Sequence, residues 1–263
     1  MSTLKVLKKE ALHLEELQPD FARLDKAYNS VAGYIKHIAS GELRSLIVNG
    51  PPGVGKSAMV QKYLTQNKSG SQMFVNGQMA LMSLYHALYK HKEKGQVLVL
   101  DDVDSVFSKS EGLNILKAAM DTTNQRVISW ESTTAMLNAL GLPTRFNFNG
   151  SVVLITNVGF GGAVTKQLAH LNALKDRSFC IPIADGGSQS AYKQIAYMVY
   201  RHDMLKAYNF TDEVKMELLE YILVNLDNLY TVSLRTIIKL AEVYRLNPKT
   251  WQDDANAAFL RHQ

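Results

Sequence analysis

The sequence predicts an α/β fold: a parallel five-stranded sheet flanked by helices, with a small C-terminal all-helical domain. Three observations point there. Five short apolar runs, Leu43–Asn49, Gln72–Asn76, Gln96–Leu100, Ser151–Thr156 and Phe179–Ile183, alternate with stretches of helical periodicity. The runs are rich in aliphatic side chains on both alternating faces, as strands of a sheet covered on both sides must be. After Asp185-Gly186-Gly187-Ser188 the strand signals stop and only helical periodicity remains.

The elements follow in order. Leu4, Leu7, Ala11 and Leu14 mark a first helix that is expected to stop before Pro19, whose ring lacks an N–H. Phe21, Leu24, Tyr28, Val31, Ile35 and Ile38 mark a second helix, with Gly41 placed to end it. Helices also fit Ala58–Gln66 and Glu111–Thr123. In the C-terminal part, Ala191 to His202, Leu218 to Leu226 and Leu234 to Tyr244 carry helical stripes, and Ser233 and Thr250 suit N-caps. The Gly186-Gly187-Ser188 stretch reads as a hinge. About 27 residues separate the helix ending near Thr123 from the strand at Ser151, an insertion over roughly 125–150. Within it, Arg126–Trp130 and Arg145–Asn149 alternate polar with apolar residues, as two strands of an exposed hairpin do.

Composition sets limits. A chain of 263 residues with 46% hydrophobic and 20% charged residues is an ordinary globular sequence. Its single cysteine, Cys180, excludes an internal disulfide or a multi-thiolate metal site and suggests a reducing, cytoplasmic setting. No apolar run reaches the roughly 20 residues of a membrane helix, so no membrane role is expected. The net charge is +5, and Ser57–Tyr200 holds 13 basic against 9 acidic residues. That surplus permits phosphate contact without requiring it. Seven histidines show no metal-ligand spacing, and no G-x-S-x-G elbow is present.

The strongest signal is Gly50-Pro51-Pro52-Gly53-Val54-Gly55-Lys56-Ser57, which fits G-x-x-x-x-G-K-[ST] between a strand and a helix. Glycines let such a loop wrap so that its N–H groups converge on phosphates, Lys56 supplies a point charge, and Ser57 offers a hydroxyl to Mg²⁺. A second acidic element follows the buried run Val97-Leu98-Val99-Leu100: Asp101 is placed to hold the Mg²⁺, and Asp102 to orient and deprotonate an attacking water. A nucleoside triphosphate with Mg²⁺ is therefore expected at this loop.

Together these features resemble an AAA+ ATPase, from about Phe21 to the C-terminus. The resemblance implies domains at 1–19 (N-terminal helix), 20–187 (nucleotide-binding α/β domain) and 188–263 (helical lid). It also implies further site residues: Asn157, closing Val153-Leu154-Ile155-Thr156, as the sensor of the attacking water; Arg177, before Phe179-Cys180-Ile181-Pro182, as a finger acting on a neighbouring subunit's nucleotide; and Arg235, after Ser233-Leu234, as a lid contact to nucleotide in cis. ATP as the nucleotide cofactor, with Mg²⁺, and a homo-oligomeric ring or spiral of six subunits are implied as well. The 125–150 insertion resembles a hairpin found in clades that handle DNA, and Arg126, Trp130, Arg145, Phe146 and Phe148 suit either a strand-contacting surface or extra packing on the domain side, with the aromatics in the core and the arginines solvated. Small phage AAA+ proteins are the nearest impression. A protein partner gripped by Met79, Leu81 and Met82 remains open, as does a slow nucleotide-gated switch. The last arises because the family usually has Asp-Glu where this chain has Asp101-Asp102.

Overall fold

The computed structural model describes residues 2–67, 70–107, 109–130, 135–158, 166–184 and 186–261, with side chains from Leu14 onward other than those of residues 104, 107, 136, 166 and 167. Asp185 of the expected hinge and residues 131–134 of the insertion lie outside them. The chain forms two compact units. One holds Tyr28–Gly50 and Lys56–Pro182, the other Met1–Ala27, Pro51–Gly55 and Ile183–Gln263.

The first unit is built on five parallel strands, β1 (Ser45–Asn49), β2 (Gln72–Asn76), β3 (Val97–Asp101), β6 (Ser151–Thr156) and β7 (Phe179–Pro182), in the order β2-β3-β6-β1-β7. Every side chain of β1, β3 and β6 is buried, which is why these segments are aliphatic between their polar ends. The register aligns their carboxyl ends: Asn49 lies opposite Thr156, and Asp101 opposite Ile155. Gly50, Asp102 and Asn157 therefore leave the sheet along one edge, where ligands of open parallel sheets bind. Helices α2 (Lys56–Gln66), α3 (Leu81–Lys90), α5 (Ser110–Met120) and α7 (Lys166–Lys175) alternate with the strands, with a short α4 (Asp104–Phe107) before α5. Leu84, Tyr85, Leu88, Leu116 and Leu154 lie at the centre of the core. Gly112 lets α5 close on α4, since a Cβ there would meet Val106 O at 2.0 Å.

The insertion does form an antiparallel pair, β4 (Val127–Ser129) with β5 (Arg145–Asn147), with α6 (Ala135–Ala139) between them. It does not present the expected aromatic surface. Phe146 and Phe148 are buried, and Phe146 packs edge-on against Tyr85 and Tyr89 of α3, with centroids 5.2 Å away in both cases. Trp130 meets Tyr85 at 5.5 Å, and Arg126 is only 8% exposed. Of that set Arg145 alone is exposed. The alternation that announces a ribbon is the same whether its apolar face meets a ligand or a helix, and here α3 supplies the partner. Met79, Leu81 and Met82 are partly buried against this core.

The second unit contains α8 (Ser188–His202), a 3₁₀ turn (Lys206–Tyr208), α9 (Asp212–Val224), α10 (Leu234–Leu246) and α11 (Trp251–Phe259). Thr211 caps α9 by accepting from Val214 N, and Ser233 N donates to Thr236 Oγ1 in half of a capping box. The first part of α1 (Ser2–Ala39) belongs to this unit.

The break expected before Pro19 is absent, and α1 runs through it as one helix. Packing on both sides of the proline outweighs the lost hydrogen bond. Leu17 and Phe21 are buried, Phe21 sits 5.6 Å from the Tyr197 ring, and Lys193 pairs with Asp20 at 2.9 Å. Tyr197 also donates its hydroxyl to Asp25 Oδ1 at 2.8 Å. Among the described residues, no helix is long and apolar enough to cross a membrane.

Candidate active site

The loop from Gly50 to Ser57 joins β1 to α2, and its positive-φ residues are where only glycine is at ease: Gly53 at +74° and Gly55 at +85°. Space also demands glycine at 53, because a Cβ there would lie 2.7 Å from Ser233 Cβ. The loop's ends belong to the sheet unit and its crown, Pro51–Gly55, to the helical unit.

In the sheet unit four predicted residues form one chain of hydrogen bonds. Lys56 is 5% exposed, and its Nζ donates to Gly50 O at 2.8 Å and to Asn157 Oδ1 at 2.7 Å. Asn157 Nδ2 in turn donates to Asp102 Oδ1 at 2.8 Å. Asp102 takes a left-handed backbone, φ +53°, and its N–H is held by Ile155 O at 3.0 Å. A non-glycine residue in that region carries strain, which is often found where a side chain is aimed for a task.

Asp101 lies deeper, 8% exposed. Burial pushes its carboxyl above the usual range, a hydrogen bond from Ser57 opposes this, Asp102 adds to the rise, and Lys56 again opposes it. Ser57 and Asp101 thus meet as a hydroxyl and a carboxylate whose charge lacks full compensation. Hard oxygen ligands around an under-compensated carboxylate suit a small divalent cation completed by water and phosphate oxygens.

In the helical unit Pro51, Pro52, Val54, Gly187, Ser188 and Arg235 line a cavity of about 420 Å³. Arg235 comes within 3.8 Å of the position a Gly53 Cβ would take, so lid residue and loop are adjacent. Two further residues hold the crown, and motif reading missed both. Gln194 Nε2 donates to Val54 O at 2.8 Å, and Leu234 N donates to Gly53 O at 2.9 Å. No local pattern marks them, because their partners lie far away in sequence.

Arg177 stands apart from this cluster. It is half-buried, its Nη1 donates to Ala173 O at 2.8 Å, and its Nε has no hydrogen-bond partner among the described residues. Its backbone is tied to the start of β1, since Ser45 Oγ donates to Arg177 O at 3.1 Å.

Comparison with known proteins bears on the family and the fold. Residues 46–157 match the profile of the ATPase family associated with various cellular activities (AAA). An uncharacterised 36.7 kDa protein of Enterobacteria phage T4, from the nrdC–mobD intergenic region, is 30% identical over 256 residues, or 94% of this chain and 78% of its own. Domain III of the Thermotoga maritima replication initiation protein DnaA superposes with a TM-score of 0.51 at 13% identity, over 90% of this chain and 92% of that one. The Thermotoga maritima RuvB Holliday junction branch migration motor gives 0.50 at 13% identity, over 90% and 68%. Against a further DNA replication initiation factor this chain spans 64% of the other protein's length. The shared fold includes the parallel five-stranded sheet and the C-terminal helices. This chain belongs to the AAA+ family of P-loop ATPases.

Proposed function

We propose that the protein binds ATP with Mg²⁺ and hydrolyses it as a subunit of a homo-oligomer, and that the cycle drives remodelling or loading on DNA. The observation that carries the catalytic part is the continuous set Lys56–Asn157–Asp102 beside Ser57–Asp101. The triphosphate would lie in the loop, facing the N–H groups of its crown, with the base and ribose in the 420 Å³ cavity and Arg235 beside them. Lys56 would exchange Gly50 O and Asn157 Oδ1 for phosphate oxygens. Asn157, so released, would turn its amide to a water, and Asp102 would take that water's proton. Ser57 and Asp101 would hold Mg²⁺, which when bound neutralises charge on the phosphate oxygens.

Arg177 supports an oligomer. As it lies, it is spent on Ala173 O; to act as a finger it would leave that carbonyl for a neighbouring copy's nucleotide. A hexameric ring or spiral is the arrangement proposed. The DNA role rests on the central basic surplus and on the neighbours, one a replication initiation protein and one a branch migration motor by name. A second reading, a slowly hydrolysing switch, is favoured by Asp102: its side chain is one methylene shorter than the family's usual glutamate.

The test is ATP turnover with and without single- and double-stranded DNA, with Lys56→Ala as control. Turnover that rises with DNA and vanishes in the control is expected. Protein that retains no ATP in the presence of Mg²⁺ would overturn the proposal. Mixing Arg177→Ala with Lys56→Ala subunits should restore part of the activity if the site is shared, and none if Arg177 acts within its own chain.

A further inference from the structure

Two carbonyls of the loop crown are held by the C-terminal helices, and peptide geometry gives this a consequence for the amides. Gln194, on α8, is 1% exposed and donates to Val54 O; Leu234 N, at the start of α10, donates to Gly53 O. In a planar trans peptide the C=O of one residue and the N–H of the next point in opposite directions. No cis peptide occurs among the described residues. Fixing Gly53 O therefore aims Val54 N–H away from α10, and fixing Val54 O aims Gly55 N–H away from α8.

The Val54–Gly55 peptide needs such a hold. Gly55 tolerates either sign of φ, so the plane between the two residues can turn over at little steric cost. Turned over, it would present a carbonyl oxygen where an anion needs a donor.

We propose that Gln194 is a positioning residue for nucleotide binding, its amide fixing the Val54 peptide so that Gly55 N–H faces the phosphates. This rests on the nucleotide reading above. The donor comes from a side chain of α8, so a shift of that helix would loosen the phosphate grip without touching Lys56. A residue buried merely to fill space would need no donor at this atom.

The experiment compares wild type, Gln194→Met and Gln194→Glu by titration with ATP and with adenosine between about pH 5.5 and 8, alongside thermal unfolding without ligand. Methionine keeps the length and removes the donor. Glutamate cannot donate when ionised and can when protonated. Gln194→Met should bind ATP about tenfold more weakly while its adenosine affinity moves less than about twofold. Gln194→Glu should show a deficit relative to wild type at pH 8 that shrinks toward pH 5.5. A Gln194→Met protein that binds ATP like wild type, or loses ATP and adenosine equally, overturns the proposal, as does a pH-independent deficit in Gln194→Glu. Should Gln194→Met fail to fold, the glutamate series decides alone. Wild type that binds no ATP overturns the nucleotide reading itself.

Discussion

Among the described residues of the sheet unit two cations lie buried, and they are held in opposite ways. Lys56, 5% exposed, donates to the carbonyl of a loop glycine and to the side chain of the exposed Asn157. Arg126, 8% exposed, donates to Ala119 O at 2.7 Å and Gly150 O at 2.9 Å, and its guanidinium lies 5.0 Å from the Phe148 ring. Burial lowers the Arg126 pKa to about 10, with Arg44 adding to the fall, so it stays charged at neutral pH. Neither burial nor charge separates the two regions. What separates them is whether the acceptors can be exchanged. A single ammonium facing a loop carbonyl and an exposed amide can trade both for phosphate oxygens; a planar fork pinned by α5 and the residue before β6 under an aromatic ring cannot. One region is the proposed site and the other a brace.

That contrast can be broken or sharpened by substitution. Lys56→Ala should lower ATP turnover by at least about a thousandfold, with little change in the ligand-free melting temperature; a large melting change would make Lys56 a brace too. Arg126→Met leaves two carbonyls without their donor and should cost about 3 kcal/mol, seen as a melting temperature lower by roughly 6–12 °C. Its ATP affinity while folded should stay within about twofold of wild type; a selective loss of affinity would erase the distinction. Asp102→Glu should raise turnover about tenfold if one methylene limits the general base; an unchanged or lower rate in steady-state assays would mean that the left-handed turn already places Asp102 correctly.

The smallest effect should come from Asp101→Asn. Because the folded pKa of Asp101 is raised, its ionised form weakens the ligand-free fold above that pKa, and protonation relieves the cost as pH falls. Asparagine should therefore raise the melting temperature by about 2–4 °C near pH 7–8, with the gap closing toward pH 4 in a melting series, while removing the Mg²⁺ dependence of ATP binding. A gap that widens toward acid would contradict the sign.

Much of the site was legible because its residues follow strand ends. Gly50, Asp102 and Asn157 each come one polar residue after a run of buried aliphatics, and parallel register brings those ends together. The hairpin's pairing was legible for the same periodic reason. Its orientation was not: Arg126, Phe146 and Phe148 alternate as solvent-facing ribbons do, and only the partners distant in sequence, the α3 aromatics for Phe146 and the Ala119 and Gly150 carbonyls for Arg126, decide that they point inward. Pro19 misled because a local rule was applied where Phe21 and Asp20 are held by residues of α8. Gln194 gave no signal, since a glutamine inside an amphipathic helix looks like any polar position until the loop it meets is in place.

The clamp on the loop crown bears on how such chains can be recombined. Residues 51–55 belong with a stretch that starts at Ile183, although more than a hundred residues separate them in the gene. A chimera that swaps the C-terminal helices for those of a homologue, and keeps its own pentapeptide, would inherit a loop fitted to foreign neighbours. Ancestral exchanges in this lineage should respect that pairing, with the crown travelling alongside the residue at 194.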